Sequence, residues 1–166
     1  MIFLTIGTTE PFDRLVSAMD NIAAALPHVS IMAQISDSYF KIKNMQTVGF
    51  IPPAEYYKLF DQASLVISHA GMGTILSALQ RKKRIIVMPR RLSLGEANSD
   101  HQFGTANKLA ALNYVEVAND QDQLYHLISQ SLNENRTPET SIGSFASQGL
   151  INSLKDFINQ KKNLTV

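Results

Sequence analysis

Leu65-Val66-Ile67-Ser68-His69-Ala70-Gly71-Met72-Gly73-Thr74 is the stretch from which the fold of this chain can be read. An apolar start rich in β-branched residues reads as a buried strand, and the glycines at 71 and 73 break it into a turn. A helix over 74–80 follows, with Thr74 expected at its cap. Such a turn lets backbone N–H groups approach a phosphate, and the helix dipole favours an anion there. The same residues also read as a tight turn with a good cap, and the pattern alone does not separate the two. A dinucleotide fingerprint fits poorly: its third glycine would fall at Leu76, and the motif lies in the fourth strand rather than the first. No Walker A sequence is present.

Outward from this stretch, apolar runs and helix-period segments alternate. Strands are predicted over 2–6, 29–35, 47–51, 65–67, 84–88 and 114–117. Phe12, Leu15, Val16, Met19, Ile22 and Ala23 recur at helical spacing, with Pro11 in the first turn. Further helices are expected over 54–62 and 98–112, and from Asp120, capped with Gln123, through 132. The alternation predicts an α/β domain: a Rossmann-like, doubly wound, mostly parallel sheet with helices on both faces. Ligands of such sheets sit outside the carboxyl ends of the strands. Gly7-Thr8-Thr9, the 69–74 turn and the stretch after Met88 all fall on that edge.

The globular unit is expected to span 1–132. Residues 133–149 are polar, lack an apolar period and read as a linker or loop. Over 150–166, Leu150, Ile151, Leu154, Phe157 and Ile158 form the stripe of an amphipathic helix. That helix either packs on its own domain or docks on a partner or membrane surface.

At 166 residues the chain has room for about one domain. Its 45% hydrophobic and 17% charged residues exclude a disordered or fibrous protein. Fifteen Lys+Arg against fourteen Asp+Glu give a net charge of +1, so no global charge favours nucleic acid or a membrane surface. Cysteine is absent, which removes disulfides and thiolate chemistry and suits a reducing compartment. The start lacks a basic leader and no run of about 18 apolar residues occurs, so a cytoplasmic chain is expected.

The second chemical signal is the long polar loop from Pro89 to Gln102. Six of the fifteen basic residues lie between Arg81 and Arg91. Those at 81–84 precede a strand and read as a solvated turn or an anionic-lipid contact. Arg90 and Arg91 follow it and could reach a diphosphate. His28 and His126 read as surface residues. His69, at a strand end, is either a hydrogen-bonded structural residue or a ligand contact. His101 beside Gln102 at a helix start is favoured as a site residue. No histidine pair has metal-ligand spacing, no nucleophilic serine elbow occurs, and no reader motif supports nucleic acid binding.

In order, Gly7-Thr8-Thr9, Gly49-Phe50-Ile51, Ser68 to Thr74, the Pro89 strand end and His101-Gln102 resemble the C-terminal domain of family 28 glycosyltransferases. This is the nucleotide-sugar half of the MurG-like GT-B fold. The likeness is greatest to stand-alone forms of that domain: bacterial exopolysaccharide subunits of the PssE and EpsF type, and the catalytic subunit of the eukaryotic transferase that adds the second GlcNAc to dolichol-linked sugar. It covers roughly 1–132.

The resemblance implies that the backbone near Phe50 and Ile51 receives uracil. Ala70, Gly71, Met72, Gly73 and Thr74 would hold the diphosphate, with His69 beside them in the donor site; His101 and Gln102 would face the donor sugar, and Gly7, Thr8 and Thr9 would line the cleft. Family members carry a ribose-binding Glu where this chain has Ser77, and Glu96 is the candidate substitute. The expected function is the donor-binding subunit of an inverting glycosyltransferase that uses a UDP-sugar and needs neither metal nor other cofactor. Its acceptor would be polyprenyl-diphosphate-linked, and its partner a membrane-anchored, acceptor-binding subunit contacted through 150–166. That partner would recruit the chain to the cytoplasmic face of the membrane. Glu10, Asp13 and His101 are the base candidates, unless the base belongs to the partner. The rival readings are a non-catalytic enhancer of a partner transferase and another Rossmann-like nucleotide-binding protein.

Overall fold

Alternation along each strand sends side chains to opposite faces, and both faces here must be covered. The computed structural model describes residues 1–8, 10–36, 38–134, 142, 148–149, 151–153 and 155. Its strands are β1 (Ile2–Thr5), β2 (Ile31–Gln34), β3 (Gln46–Val48), β4 (Leu65–His69), β5 (Arg84–Met88) and β6 (Glu116–Val117). The helices are α1 (Asp13–Ala25), α2 (Pro53–Gln62), α3 (Met72–Gln80), α4 (His101–Ala111) and α5 (Gln121–Asn133), with a 3-10 turn at Leu92–Leu94. The six strands lie in the order β3-β2-β1-β4-β5-β6. Every neighbouring pair is parallel, so the sheet expected to be mostly parallel is parallel throughout.

Ile2 and Leu4 of β1 face Leu15, Met19 and Ile22 of α1 and Leu124 and Ile128 of α5. Phe3 points the other way, into a second core with Phe60 of α2, Ile75 and Leu79 of α3 and Ala106 of α4. Burying each such large apolar side chain contributes about 1.5–3 kcal/mol. The strand order reverses between β1 and β4, which opens a crevice at their carboxyl ends. Among the described residues, the β2–β3 connection has no helix. The buried Asp20 carboxylate orders it by accepting the N–H groups of Lys43 at 3.0 Å and Asn44 at 2.7 Å.

Several boundaries differ from the sequence reading. Pro11 stands outside α1, because Phe12 holds the cap position. Thr74 is the third residue of α3 rather than its cap, which is Gly71. Helix α4 starts at His101, not at 98, since the Asp100 carboxylate turns to the Leu92 N–H at 2.9 Å. At the amino end of the sheet, three of the four side chains of the basic 81–84 turn are spent on the protein itself, and Lys82 is exposed. Arg81 pairs with Asp61 at 3.3 Å, Lys83 Nζ donates to the Ala63 carbonyl at 2.9 Å, and Arg84 pairs with Glu116 at 3.1 Å.

Helix α5 enters the expected linker by one residue, and Ile142 is partly buried against the second core. Positions 148–149, 151–153 and 155 are helical, while Leu150, Leu154, Phe157 and Ile158 of the expected stripe lie outside the described residues. No helix among the described residues is long and apolar enough to cross a membrane.

Candidate functional site

The loops leaving the carboxyl ends of the strands enclose a cavity of about 610 Å³. Gly7, Thr8 and Glu10 reach it from the loop after β1, and Phe50 and Ile51 from the loop after β3. His69, Gly71, Gly73, Thr74 and Ser77 line it from the end of β4 and the first turns of α3. Arg90, His101 and Gln102 close the side beyond β5. Ala70, Met72, Arg91, Glu96 and Asp13 are not in the lining, and Thr9 lies outside the described residues.

The start of α3 is the feature best suited to an anion. Its cap, Gly71, has no side chain to offer, and no side-chain hydrogen bond caps the helix. The first helical bond is Ile75 N–H to the Gly71 carbonyl at 3.1 Å, so the N–H groups of Met72, Gly73 and Thr74 have no intrahelical acceptor. Helix α4 also lacks a side-chain cap at its cavity end. Two helix N-termini therefore present uncapped donors to one crevice, where their dipoles favour negative charge.

His69 explains two of the glycines. Its ring lies between the backbones of Gly7 and Gly71; a Cβ on Gly7 would come within 2.9 Å of its Cε1, and one on Gly71 would collide with its Nε2. Gly7 also has φ +83, a left-handed conformation that favours glycine. Burial, and next the positive charge of Arg90, push the His69 pKa down to about 4, so the ring is neutral near pH 7. Ser68 Oγ donates to the Thr5 carbonyl at 2.9 Å and meets His69 Nδ1 at 3.2 Å, so it accepts from Nδ1–H. Of the two readings open for His69, this packing supports a wedge that fixes the β1 and β4 loops.

Arg90 is 4% exposed, and it too differs from its expected role. Its terminal nitrogens donate to the carbonyls of Pro11 at 2.6 Å, Glu96 at 3.3 Å, Ile6 at 3.1 Å and Glu10 at 2.8 Å. Its guanidinium also stacks over the Phe12 ring, 4.6 Å from the centroid. Burial lowers its pKa, against the opposing charges of Glu10 and Glu96. Arg90 is thus a bolt for the loop after β1, with its terminal donors spent on backbone rather than held for a diphosphate. Arg91 points away from the cavity, where it donates to the Asn119 carbonyl at 3.1 Å and lies over Phe103.

Glu96 does not fill the place of the missing ribose carboxylate. Arg14 holds it in two parallel bonds, Nε to Oε1 at 2.7 Å and Nη2 to Oε2 at 2.8 Å, and the Arg91 N–H adds a third at 2.9 Å. Burial pushes its carboxyl up, but Arg14, the Arg91 N–H and the Arg90 charge together leave its pKa below the ordinary value. Its carboxylate fastens the long loop to α1. Ser77 lines the cavity, yet its hydroxyl donates to the Gly73 carbonyl at 2.8 Å. Among the base candidates, Glu10 and His101 reach the cavity, with His101 Nδ1 2.6 Å from Ser99 Oγ. Asp13 is occupied elsewhere, accepting from Ser38 Oγ at 2.7 Å and Tyr39 N–H at 3.1 Å. Gln102 lines the cavity and also accepts the Arg90 N–H at 3.3 Å.

The sequence reading missed Thr5, Gln34 and Tyr56, which also line the cavity. Polar residues at the carboxyl ends of otherwise apolar strands were the available signal for Thr5 and Gln34. Tyr56 carries a pKa raised by burial, which its side-chain hydrogen bonds to Thr74 and Thr5 oppose. No group of three or more His, Cys, Asp or Glu that could hold a metal occurs among the described residues.

Fold and crevice define a doubly wound α/β domain with a cavity at its topological switch point, where two helices begin without side-chain caps. The chain belongs to the glycosyltransferase family 28 C-terminal domain, which it matches over residues 1–160, beyond the 1–132 that carry the recognisable motifs. It is 28% identical over 134 residues to the UDP-N-acetylglucosamine transferase subunit ALG13 of Eremothecium gossypii, covering 80% of this chain and 64% of that protein. The match thus spans less than two thirds of that relative. In fold it is similar to the solution structure of ALG13, with a TM-score of 0.59, 24% identity, and 92% and 93% of the two chains covered. It also overlays the crystal structure of the glycotransferase of kitacinnamycin, with a TM-score of 0.61, 19% identity, and 80% of this chain against 35% of that one. The fold is that of the C-terminal half of GT-B glycosyltransferases.

Proposed function

We propose that this chain is the donor-binding subunit of a two-component inverting glycosyltransferase that uses a UDP-sugar. The observation that carries the proposal is the uncapped start of α3 at the cavity edge, in a member of a glycosyltransferase family. The diphosphate sits against the N–H groups of Met72, Gly73 and Thr74, and the uracil lies towards Phe50 and Ile51. The sugar faces His101 and Gln102. Displacement at the anomeric carbon breaks its bond to UDP, and the α3 N-terminus stabilises the negative charge gathering on the leaving diphosphate without a metal. Glu10 or His101 takes the acceptor proton, or a group on the partner does so. The acceptor is polyprenyl-diphosphate-linked, as in exopolysaccharide assembly of the PssE and EpsF type. A membrane-anchored subunit supplies the acceptor side and holds the chain at the cytoplasmic face, through contacts assigned to 150–166.

A non-catalytic enhancer is the second reading, favoured by one observation. Ser77 has its hydroxyl proton on the Gly73 carbonyl, and Glu96 is committed to Arg14, so neither supplies a ribose carboxylate. Calorimetric titration with UDP, NAD and ATP tests the nucleotide, and UDP alone is expected to bind. Binding of NAD without UDP would overturn the proposal. Co-expression with a membrane-anchored acceptor-binding subunit, assayed with a panel of UDP-sugars, separates the two readings. Transfer that survives loss of UDP binding in this chain would leave only the enhancer.

A further inference from the structure

The cavity has a polar floor although the strands beneath it are apolar. Parallel register sets Thr5, Gln34 and Ser68 side by side at the carboxyl ends of β1, β2 and β4. Thr5 joins the row: its hydroxyl donates to Gln34 Oε1 at 2.7 Å and accepts the Gly7 N–H at 3.5 Å. Tyr56 is tied to the same hydroxyl and to Thr74. Gln34 is 2% exposed, yet it lines the cavity. Its oxygen is fixed by Thr5, whereas its Nε2, which carries two donors, has no acceptor among the described residues. That nitrogen is not one of the sealed side-chain atoms left without a partner, so its donors open on the cavity, where an acceptor carried by a ligand can take them.

Position and charge narrow the acceptor. Gln34 pairs with Val48 of β3, on the side of the crevice where Phe50 and Ile51 emerge. The α3 N-terminus lies beyond β1, after β4. Strands about 4.8 Å apart put Gln34 roughly 10 Å from that helix start, which leaves room for a ribose between diphosphate and base. The neutral carboxamide lies away from the anion-binding end and suits an uncharged oxygen. We infer that Gln34 is a specificity-determining residue whose Nε2 donates to a carbonyl oxygen of the pyrimidine ring of the nucleotide. The inference rests on the UDP-sugar reading above. A carboxamide oriented by Thr5 would prefer a base with a carbonyl acceptor at that place over one presenting an amino group.

The test uses calorimetry of UDP, 2-thio-UDP and 4-thio-UDP on the full chain and on Gln34→Ala. Sulfur keeps the ring shape but is the weaker acceptor. The wild-type chain should bind UDP and lose roughly three- to tenfold in affinity for one of the two thio analogues. Gln34→Ala should lose a similar factor for UDP and no longer distinguish that analogue. Gln34→Glu keeps the shape and replaces the donors with acceptors, so it should bind UDP more weakly than the alanine variant; it also carries the test if Gln34→Ala fails to fold. Unchanged discrimination in both variants, or none in the wild type, overturns the role of Gln34 while leaving UDP binding intact. A wild-type chain that does not bind UDP overturns the donor reading itself.

Discussion

The two ends of the sheet treat their polar groups in opposite ways. At the amino end α3 and α4 are closed from within. Helix α3 ends with the left-handed Lys82, and Lys83 N–H returns to the Ala78 carbonyl at 2.8 Å. Helix α4 ends the same way, with Asn113 left-handed and Tyr114 N–H on the Leu109 carbonyl at 2.9 Å. Arg81 and Arg84 are paired there, and Lys83 caps α2. At the carboxyl end α3 and α4 begin without side-chain caps, and the Gln34 amide keeps its donors. The difference teaches where to look for a ligand: α3 and α4 are closed at their amino-end termini and open where they meet the cavity. The open end still needs a rigid frame, and Arg90, His69 and Glu96 provide it.

Arg90 offers the strongest way to break this comparison. Replacing it with Met removes a buried guanidinium and strands four backbone carbonyls of the loops around it. Arg90→Met should destabilise the chain by about 3–5 kcal/mol, read by urea unfolding. The loop after β1 should loosen with it, lowering UDP affinity even though the terminal donors of Arg90 are not available to a phosphate. A loss of UDP binding with full stability would mean that Arg90 touches the ligand instead.

This contrast between frame and contact marks the limit of what could be read from the sequence. Apolar runs at 65–67 and 84–88, helical spacing from Phe12 to Ala23, and glycines at strand ends sufficed for the parallel α/β sheet and the edge that carries the site. Those patterns depend on local periodicity, which the chain displays directly. The partners of Arg90, Arg91 and Glu96 cannot be read locally, because most of them lie far along the chain. Arg14 lies 82 residues from Glu96, and three of the four carbonyls that Arg90 serves lie around 80 residues away. A charged residue beside a site looks the same in sequence whether it faces the ligand or the backbone behind it. Gln34 and Tyr56 escaped notice for the converse reason: single polar residues carry no period.

A smaller effect comes from His69. Burial and the Arg90 charge hold its pKa at about 4 in the folded chain, against the ordinary 6.5. Between those values the unfolded chain takes up a proton that the folded chain refuses. Stability should therefore fall as pH drops through this window, by up to about 3 kcal/mol. Glu96 has a lowered carboxyl pKa, so its own loss of stability comes only as pH falls below the ordinary carboxylate value. Urea midpoints at about pH 7 and about pH 5 should differ in the wild type and converge in His69→Asn. An equal drop in both proteins would assign the pH dependence to another group.

The smallest effect is expected where the fold closes itself. Lys83 lies on the carboxyl terminus of α2, with its ammonium on the carbonyls of Asp61 and Ala63. There it balances the negative end of the helix dipole and fills acceptors that water would otherwise serve. Lys83→Met keeps the aliphatic stem and removes the charge, and water can reach the Asp61 carbonyl in its place. The stability change should be about 1 kcal/mol or less, and UDP affinity should not move. Added salt should narrow the gap between the two proteins, since a partly exposed charge–dipole contact is screened. A Lys83→Met chain with weakened UDP binding would show that the two ends of the sheet are coupled, and the division between a closed end and an open one would fail.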